Sequence, residues 1–291
     1  MQLTQTKNNG KLLRMKLKNF FGKPANLILL FFAIILVFLT LYPLFTLLRE
    51  TFTVHIGKEA RAAREVAGNL SLYSYKKLLF SFDSADITKS YSWIQFYGPL
   101  LNTLSVSLTS SFISILFGGI VAWLVTRTNI KAKKFISTVF VFPYIMPAWT
   151  LALFWHTFFS NVNVGAGTSN GIMAAVFGIY MPQWFVYGYF PISVVLGLHY
   201  APFAYILIGA ILRNMDANLE EAATILKTPR LRIVRRITLP IVMPAMLSTL
   251  LLVFASSMSA YSVPVFLGSP VRYYLLATKM RGLMDSYPGQ G

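Results

Sequence analysis

The sequence predicts an all-α, polytopic transmembrane helix bundle with about five spans and a cytoplasmic N-terminus. Composition is the first reason: 56% of the 291 residues are hydrophobic and only 12% charged, a balance that suits a bilayer as solvent. Charge placement is the second. Residues 24–48, 90–126, 135–212 and 237–271 contain no Asp, Glu, Lys or Arg, and about 20 apolar residues suffice to cross the hydrocarbon. The third is asymmetry. With five spans and the N-terminus inside, segments 1–25, 126–134 and 213–239 carry 16 of the 26 Lys and Arg, although the outer segments 49–98, 159–189 and 264–291 are longer. That is the positive-inside bias. The net charge of +17 therefore sets orientation and does not point to nucleic acid.

Residues 1–25 read as a basic cytoplasmic tail. Its Leu and Phe residues can lie on anionic lipid, or the tail only sets topology. Residues 26–98 hold the first span, Leu27–Leu48, and an outer loop in which "ARAAREVAG" reads as a short helix and "LSLYSYKKLLFSF" as an amphipathic one. Residues 99–291 form the core. The second span, Leu100–Thr126, is rich in Ser, Thr and Gly, small residues that let helix backbones approach where lipid gives no hydrophobic drive. The third, Phe135–Phe158, carries Pro143, Tyr144 and Pro147 near its middle. Prolines there free carbonyls that need partners in protein or a cavity, so this is either a kinked pathway helix or a bent structural one.

Gly171–Tyr189 is apolar enough for a sixth span. Pro182, Gln183 and the aromatics Tyr180, Trp184, Tyr187 and Tyr189 suit a surface-lying or re-entrant segment better. Phe190–Leu212 and Ile241–Ala260 are the fourth and fifth spans. The chain stops at "DSYPGQG" soon after the fifth, which predicts further chain beyond Gly291.

Several chemistries lack candidates. Gly22-Lys23 and Gly57-Lys58 have neither the upstream glycine nor the following hydroxyl of a phosphate-binding loop. His55, His156 and His199 are scattered, with no carboxylate at metal-ligand spacing; His199 could touch a polar substrate, but reads better as a hydrogen-bonded helix-end histidine. There is no cysteine, hence no disulfide and no thiolate metal site. No span carries an acidic residue for proton or sodium coupling. Neither a catalytic residue nor a metal site nor a cofactor bound by this chain is expected.

One crowded polar insert, residues 216–240, separates the fourth and fifth spans. Asp216 or Asn218 can cap a helix, and Asn218 stands three residues before Glu221, the capping-box spacing. Glu220 and Glu221 then complement the helix dipole, and Leu219, Ala222, Ala223 and Leu226 form an apolar face. Thr228-Pro229 starts a second helix. It carries Arg230, Arg232, Arg235 and Arg236 and should end or kink by Pro240. The pattern alone also fits a basic hairpin on anionic lipid, in a membrane-anchored interaction protein.

Glu221-Ala222-Ala223 is followed at fixed spacing by Ile237-Thr238-Leu239-Pro240. The stretch resembles the Glu-Ala-Ala loop of membrane permease subunits of binding-protein-dependent ABC importers. The similarity extends over "LLNTLSVSLTSSFISILFGGIVAWLVTRT" and "GLHYAPFAYILIGAILRNMDANLEEAA", from about Asn102 onward. It implies a permease of the prokaryotic plasma membrane that is not itself an enzyme, with ATP bound and hydrolysed on a partner subunit. The implied partners are ABC ATPase subunits, an extracytoplasmic substrate-binding protein, a second permease half and membrane lipid. Glu220, Glu221, Ala222, Ala223, Lys227, Ile237, Leu239 and Pro240 would couple to the ATPase, with Glu221 as polar anchor. "GLHYAPF" and "LGSPVRYYLLATKM" look most like double-length permeases of the ferric-iron, phosphonate and polyamine group. One position departs: the family's glycine is Lys227 here. Either Lys227 bears the strain of a left-handed conformation or the turn differs, and the expectation is that docking survives with an altered turn.

Overall fold

The computed structural model describes residues 23–53, 68–82, 86–165, 169–215 and 218–285, and its contacts divide the chain into Met1–Ser81 and Phe82–Gly291. The basic tail and the helix expected at "ARAAREVAG" lie outside the described residues.

In the first unit, α1 (Pro24–Phe52) starts with proline at its first position, where a missing N–H costs nothing. None of its residues is buried; its Leu, Ile and Phe side chains stand exposed all round, as suits a helix solvated by lipid. The chain returns through a bridge between Thr53 and Leu70 to α2 (Tyr73–Phe80). There the Tyr75 hydroxyl donates to Thr51 Oγ1 at 3.0 Å.

The second unit is built on α3 (Gly98–Arg127), which packs along α8 (Tyr189–Asn214) and α11 (Leu239–Met258). Its buried face is small: Ser107, Ser110, Ser111, Ser114, Gly118 and Ala122. A Cβ on Gly118 would lie 2.7 Å from Ala204 Cβ and 2.8 Å from Tyr205 N, and one on Gly197 would lie 2.7 Å from Ile113 Cβ. α3 and α8 thus meet backbone to backbone, the association that small residues permit in lipid. Ser110 donates to Ser257 Oγ at 3.0 Å, joining α3 to α11.

The expected single span Phe135–Phe158 is instead two helices, α4 (Lys133–Ile145) and α5 (Ala148–Phe159), bent by 98°. The prolines explain the break. Pro143 removes one N–H inside α4, and Pro147 cannot supply the N–H that the Pro143 carbonyl would accept four residues on. With 13 residues, α4 is about 20 Å long, short of the roughly 30 Å of hydrocarbon.

Among the described residues between α5 and α8 the helices are α6 (Ile172–Phe177) and α7 (Gln183–Val186), each too short to cross. This segment packs on α5: Trp155 Nε1 donates to Phe185 O at 3.2 Å, and His156 Nε2 is 2.9 Å from the Tyr187 hydroxyl. After α11 come α12 (Ser262–Gly268) and α13 (Leu276–Asp285). The Leu276 N–H donates to Thr103 Oγ1 at 2.8 Å, tying the start of α13 to α3. Val106, Ile192, Leu196, Val263, Leu267 and Leu275 form the core there. No strand occurs among the described residues.

Candidate coupling loop and pathway break

The insert folds as α9 (Asn218–Ile225) and α10 (Arg230–Ile233). Asn218 is the first helical residue, and Asp216 lies outside the described residues, so the cap is not defined. The end of α9 is fully accounted for. The Lys227 N–H donates to Thr224 O at 2.9 Å and the Thr228 N–H to Ala223 O at 3.1 Å. These are the paired bonds of a Schellman turn, which needs a left-handed residue at its penultimate position. Lys227 is that residue, with φ +56°. It therefore adopts the conformation that a glycine would supply, at about 1–2 kcal/mol for a residue bearing a Cβ. Lys227→Gly should relieve this, slowing hydrogen exchange at the 227 and 228 amides by about fivefold for each 1 kcal/mol gained. Unchanged or faster exchange there would mean that the lysine bears no such strain.

The second arm is expected to end or kink by Pro240, and of these two it does not end there. The Pro229 carbonyl accepts the first helical bonds, from Arg232 and Ile233. The helix then widens into a π turn over Val234–Thr238, closed by the Leu239 N–H on Val234 O, and runs on as α11 with Pro240 in its first turn. The wider turn receives the proline, whose ring would clash with a carbonyl of an undistorted helix. α10 and the fifth span are therefore continuous.

Glu220, Glu221, Ala222 and Ala223 all lie on α9. Lys227 sits at the tip between the two arms, and Ile237, Leu239 and Pro240 at the head of the fifth span. The tip exposes apolar surface: Ile225 is 81%, Leu226 79% and Leu231 80% accessible. Lys227, Arg232, Arg235 and Arg236 are exposed around it. Glu220 turns inward instead. Its Oε1 accepts the Thr238 hydroxyl at 2.6 Å, and its Oε2 lies 3.5 Å from Arg127 Nε. Sequence reasoning missed Arg127 and Thr238. Arg127 had a signal, as the first charge after the uncharged run 90–126.

At the break in the third span, the Pro143 carbonyl lies 3.1 Å from His199 Nδ1. A carbonyl only accepts, so Nδ1 carries the proton. His199 is hydrogen-bonded as expected, but it sits within α8 and not at a helix end, because α8 continues through Pro202. The Tyr144 ring stacks on Phe203 at 6.0 Å, and Ser137 and Tyr205 share a hydrogen bond of 2.5 Å from α4 to α8. Pro143 and Tyr144 are thus brought against α8, whereas Pro147 is exposed. Among the described residues no group of His, Asp and Glu could hold a metal ion.

Residues 114–287 match the family described as "binding-protein-dependent transport system inner membrane component". The chain is 27% identical over 159 residues to the probable sulfate transport system permease protein cysT of Helicosporidium, covering 55% of this chain and 56% of that protein. It is 26% identical over 171 residues to the ferric transport system permease protein FbpB of Actinobacillus pleuropneumoniae, covering 57% of this chain and 24% of the other. It thus spans about half of one relative's length and a quarter of the other's. A bacterial alginate ABC transporter, solved in complex with alginate pentasaccharide-bound periplasmic protein, has the same fold, with a TM-score of 0.57 at 19% identity over 92% of this chain and 91% of that one. With 174 of its 291 residues inside the matched region, the chain belongs to the inner membrane components of binding-protein-dependent transport systems.

Proposed function

We propose that the chain is the permease subunit of an ATP-driven ABC importer, multi-pass in a prokaryotic inner membrane, with ATP hydrolysed on a separate subunit. The observation that carries this reading is the tip between α9 and α10. A fixed Schellman turn presents Ile225, Leu226 and Leu231 to solvent, an apolar surface that burial in a partner's groove would stabilise. The partners are an ABC ATPase at this tip, an extracytoplasmic binding protein and a second permease half. Catalysis is not asked of this chain. Its task is to convert the partner's closure into movement of the spans.

The test is co-purification of the tagged chain from detergent-solubilised membranes. A stoichiometric ATPase subunit is expected, and Glu221→Arg or Leu226→Asp should weaken it by about 2 kcal/mol or more, some thirtyfold in affinity. Salt-sensitive liposome binding with no partner would replace this reading by that of a lipid-binding hairpin. As cargo we propose ferric iron, supported by the FbpB similarity and by "GLHYAPF". Growth of a deletion strain on chelated iron tests it, and a defect confined to sulfate would transfer the assignment.

A further inference from the structure

Arg127 stands at the end of α3 that the charge bias assigns to the cytoplasm, with only 14% of its side chain exposed. One nitrogen, Nη2, donates to Met215 O at 3.2 Å, and Met215 is the cap residue closing α8. Another, Nε, is buried with no hydrogen bond; its complement is the Glu220 carboxylate on α9, 3.5 Å away and itself 20% exposed. The second oxygen of that carboxylate holds the Thr238 hydroxyl, where the π turn passes into α11. One ion pair therefore touches the inner ends of the second, fourth and fifth spans together with the first arm of the loop. Arg213, Arg235 and Arg236 nearby are exposed, where a pair contributes little. A largely desolvated pair differs: each partner left alone is an uncompensated buried charge.

We propose that Arg127 and Glu220 are positioning residues for coupling: a joint that makes the second, fourth and fifth spans follow the loop when the loop moves. The proposal rests on the permease reading for what moves the loop. It assigns the two adjacent glutamates different work, since Glu220 is engaged inside the chain and is not free to contact a partner.

The chain has no cysteine, so Asn129→Cys and Thr224→Cys, both at exposed positions, place one spin label beyond α3 and one on α9. Their separation is read by pulsed electron paramagnetic resonance on the full-length protein assembled with its ATPase in nanodiscs, nucleotide-free and trapped with ADP-vanadate. An intact joint gives one narrow distance that is the same in both states. Arg127→Gln is expected to roughly double the width of the distribution and to make the distance change on trapping. Arg127→Glu combined with Glu220→Arg should recover the narrow, state-independent distance. A brace that only stabilised the fold would lower the yield of Arg127→Gln without any nucleotide-dependent separation. Should Arg127→Gln fail to accumulate, Thr238→Val removes the hydroxyl without stranding a charge and should broaden the distribution to a lesser degree. Unchanged distributions in these variants, or no recovery in the charge swap, overturn the joint. Absence of an ATPase partner from the parent protein overturns the permease reading instead, and the nucleotide-free widths still decide whether the pair holds the loop to α3.

Discussion

Gly118→Val is expected to prevent stable association of the second and fourth spans. Any Cβ at this position meets the carbonyl oxygen of Ala201 and lies within 2.8 Å of Tyr205 N. These are backbone atoms of α8, so no rotamer change relieves the overlap and the helices must move apart. Overpacking typically costs 1–3 kcal/mol, and here the strain comes with loss of the α3–α8 seam, where Gly197 also lies close against Ile113. The adjacent glycine is the control. A Cβ on Gly119 meets only Ile208 Cδ1, at 3.6 Å, an ordinary contact, and alanine in a helix interior is favoured over glycine by up to about 1 kcal/mol. Thermal unfolding followed by size-exclusion chromatography in detergent should show Gly118→Val collapsing well below the parent and Gly119→Ala at or above it. Equal midpoints for Gly118→Val and the parent would mean that α3 and α8 do not pack this closely.

The second large effect is expected at the break between α4 and α5. His199→Leu leaves the Pro143 carbonyl without its donor, in a part of the chain where water is scarce. An unsatisfied buried carbonyl costs about 1–3 kcal/mol. The cost should depend on Pro147. In Pro147→Ala the chain regains an N–H four residues after Pro143, so the carbonyl acquires a local donor and His199 matters less. The two substitutions should therefore be non-additive, with His199→Leu costing less in the Pro147→Ala background, as a double-mutant cycle of unfolding midpoints would read. Additive effects would show that the histidine packs there without holding the broken helix. His199→Gln, which keeps a donor, should fall between the parent and leucine.

The first, second, fourth and fifth spans are legible in the sequence because each is a long apolar run bounded by charge, and in lipid that pattern has one cheap solution. The third reads as a helix kinked or bent at its prolines, and it bends there, by 98°, but how sharply is not legible, for a reason lying outside it. Two prolines four apart announce missing hydrogen bonds, but whether the helix kinks or breaks depends on who satisfies the orphaned carbonyl, and that donor comes from α8. The loop was legible as two arms from its own signals, while the path of its second arm was not, since a π turn before Pro240 has no composition of its own. Lys227 is a different case. Its misfit to the family's glycine suggested an altered turn, but the structure keeps the turn and holds the lysine in the left-handed conformation. The pairing of Arg127 with Glu220 joins residues distant in sequence and is visible only once α3 and α9 are brought together.

The continuity of α10 with α11 has a mechanical consequence. The helix running from Leu231 to Met258 has 28 residues and, at 1.5 Å per residue, is a rod of about 42 Å. Levers of that length amplify: a tilt of about 5° about the loop end displaces the opposite end by roughly 4 Å. On the permease reading, a push at the tip reaches the far end of the rod as displacement, reduced by any bending at its weakened turns. The rod has two compliant places: the π turn, where winding by a single hydrogen-bond register would rotate the fifth span about its own axis, and Pro244, whose missing N–H removes one bond of the helix ladder.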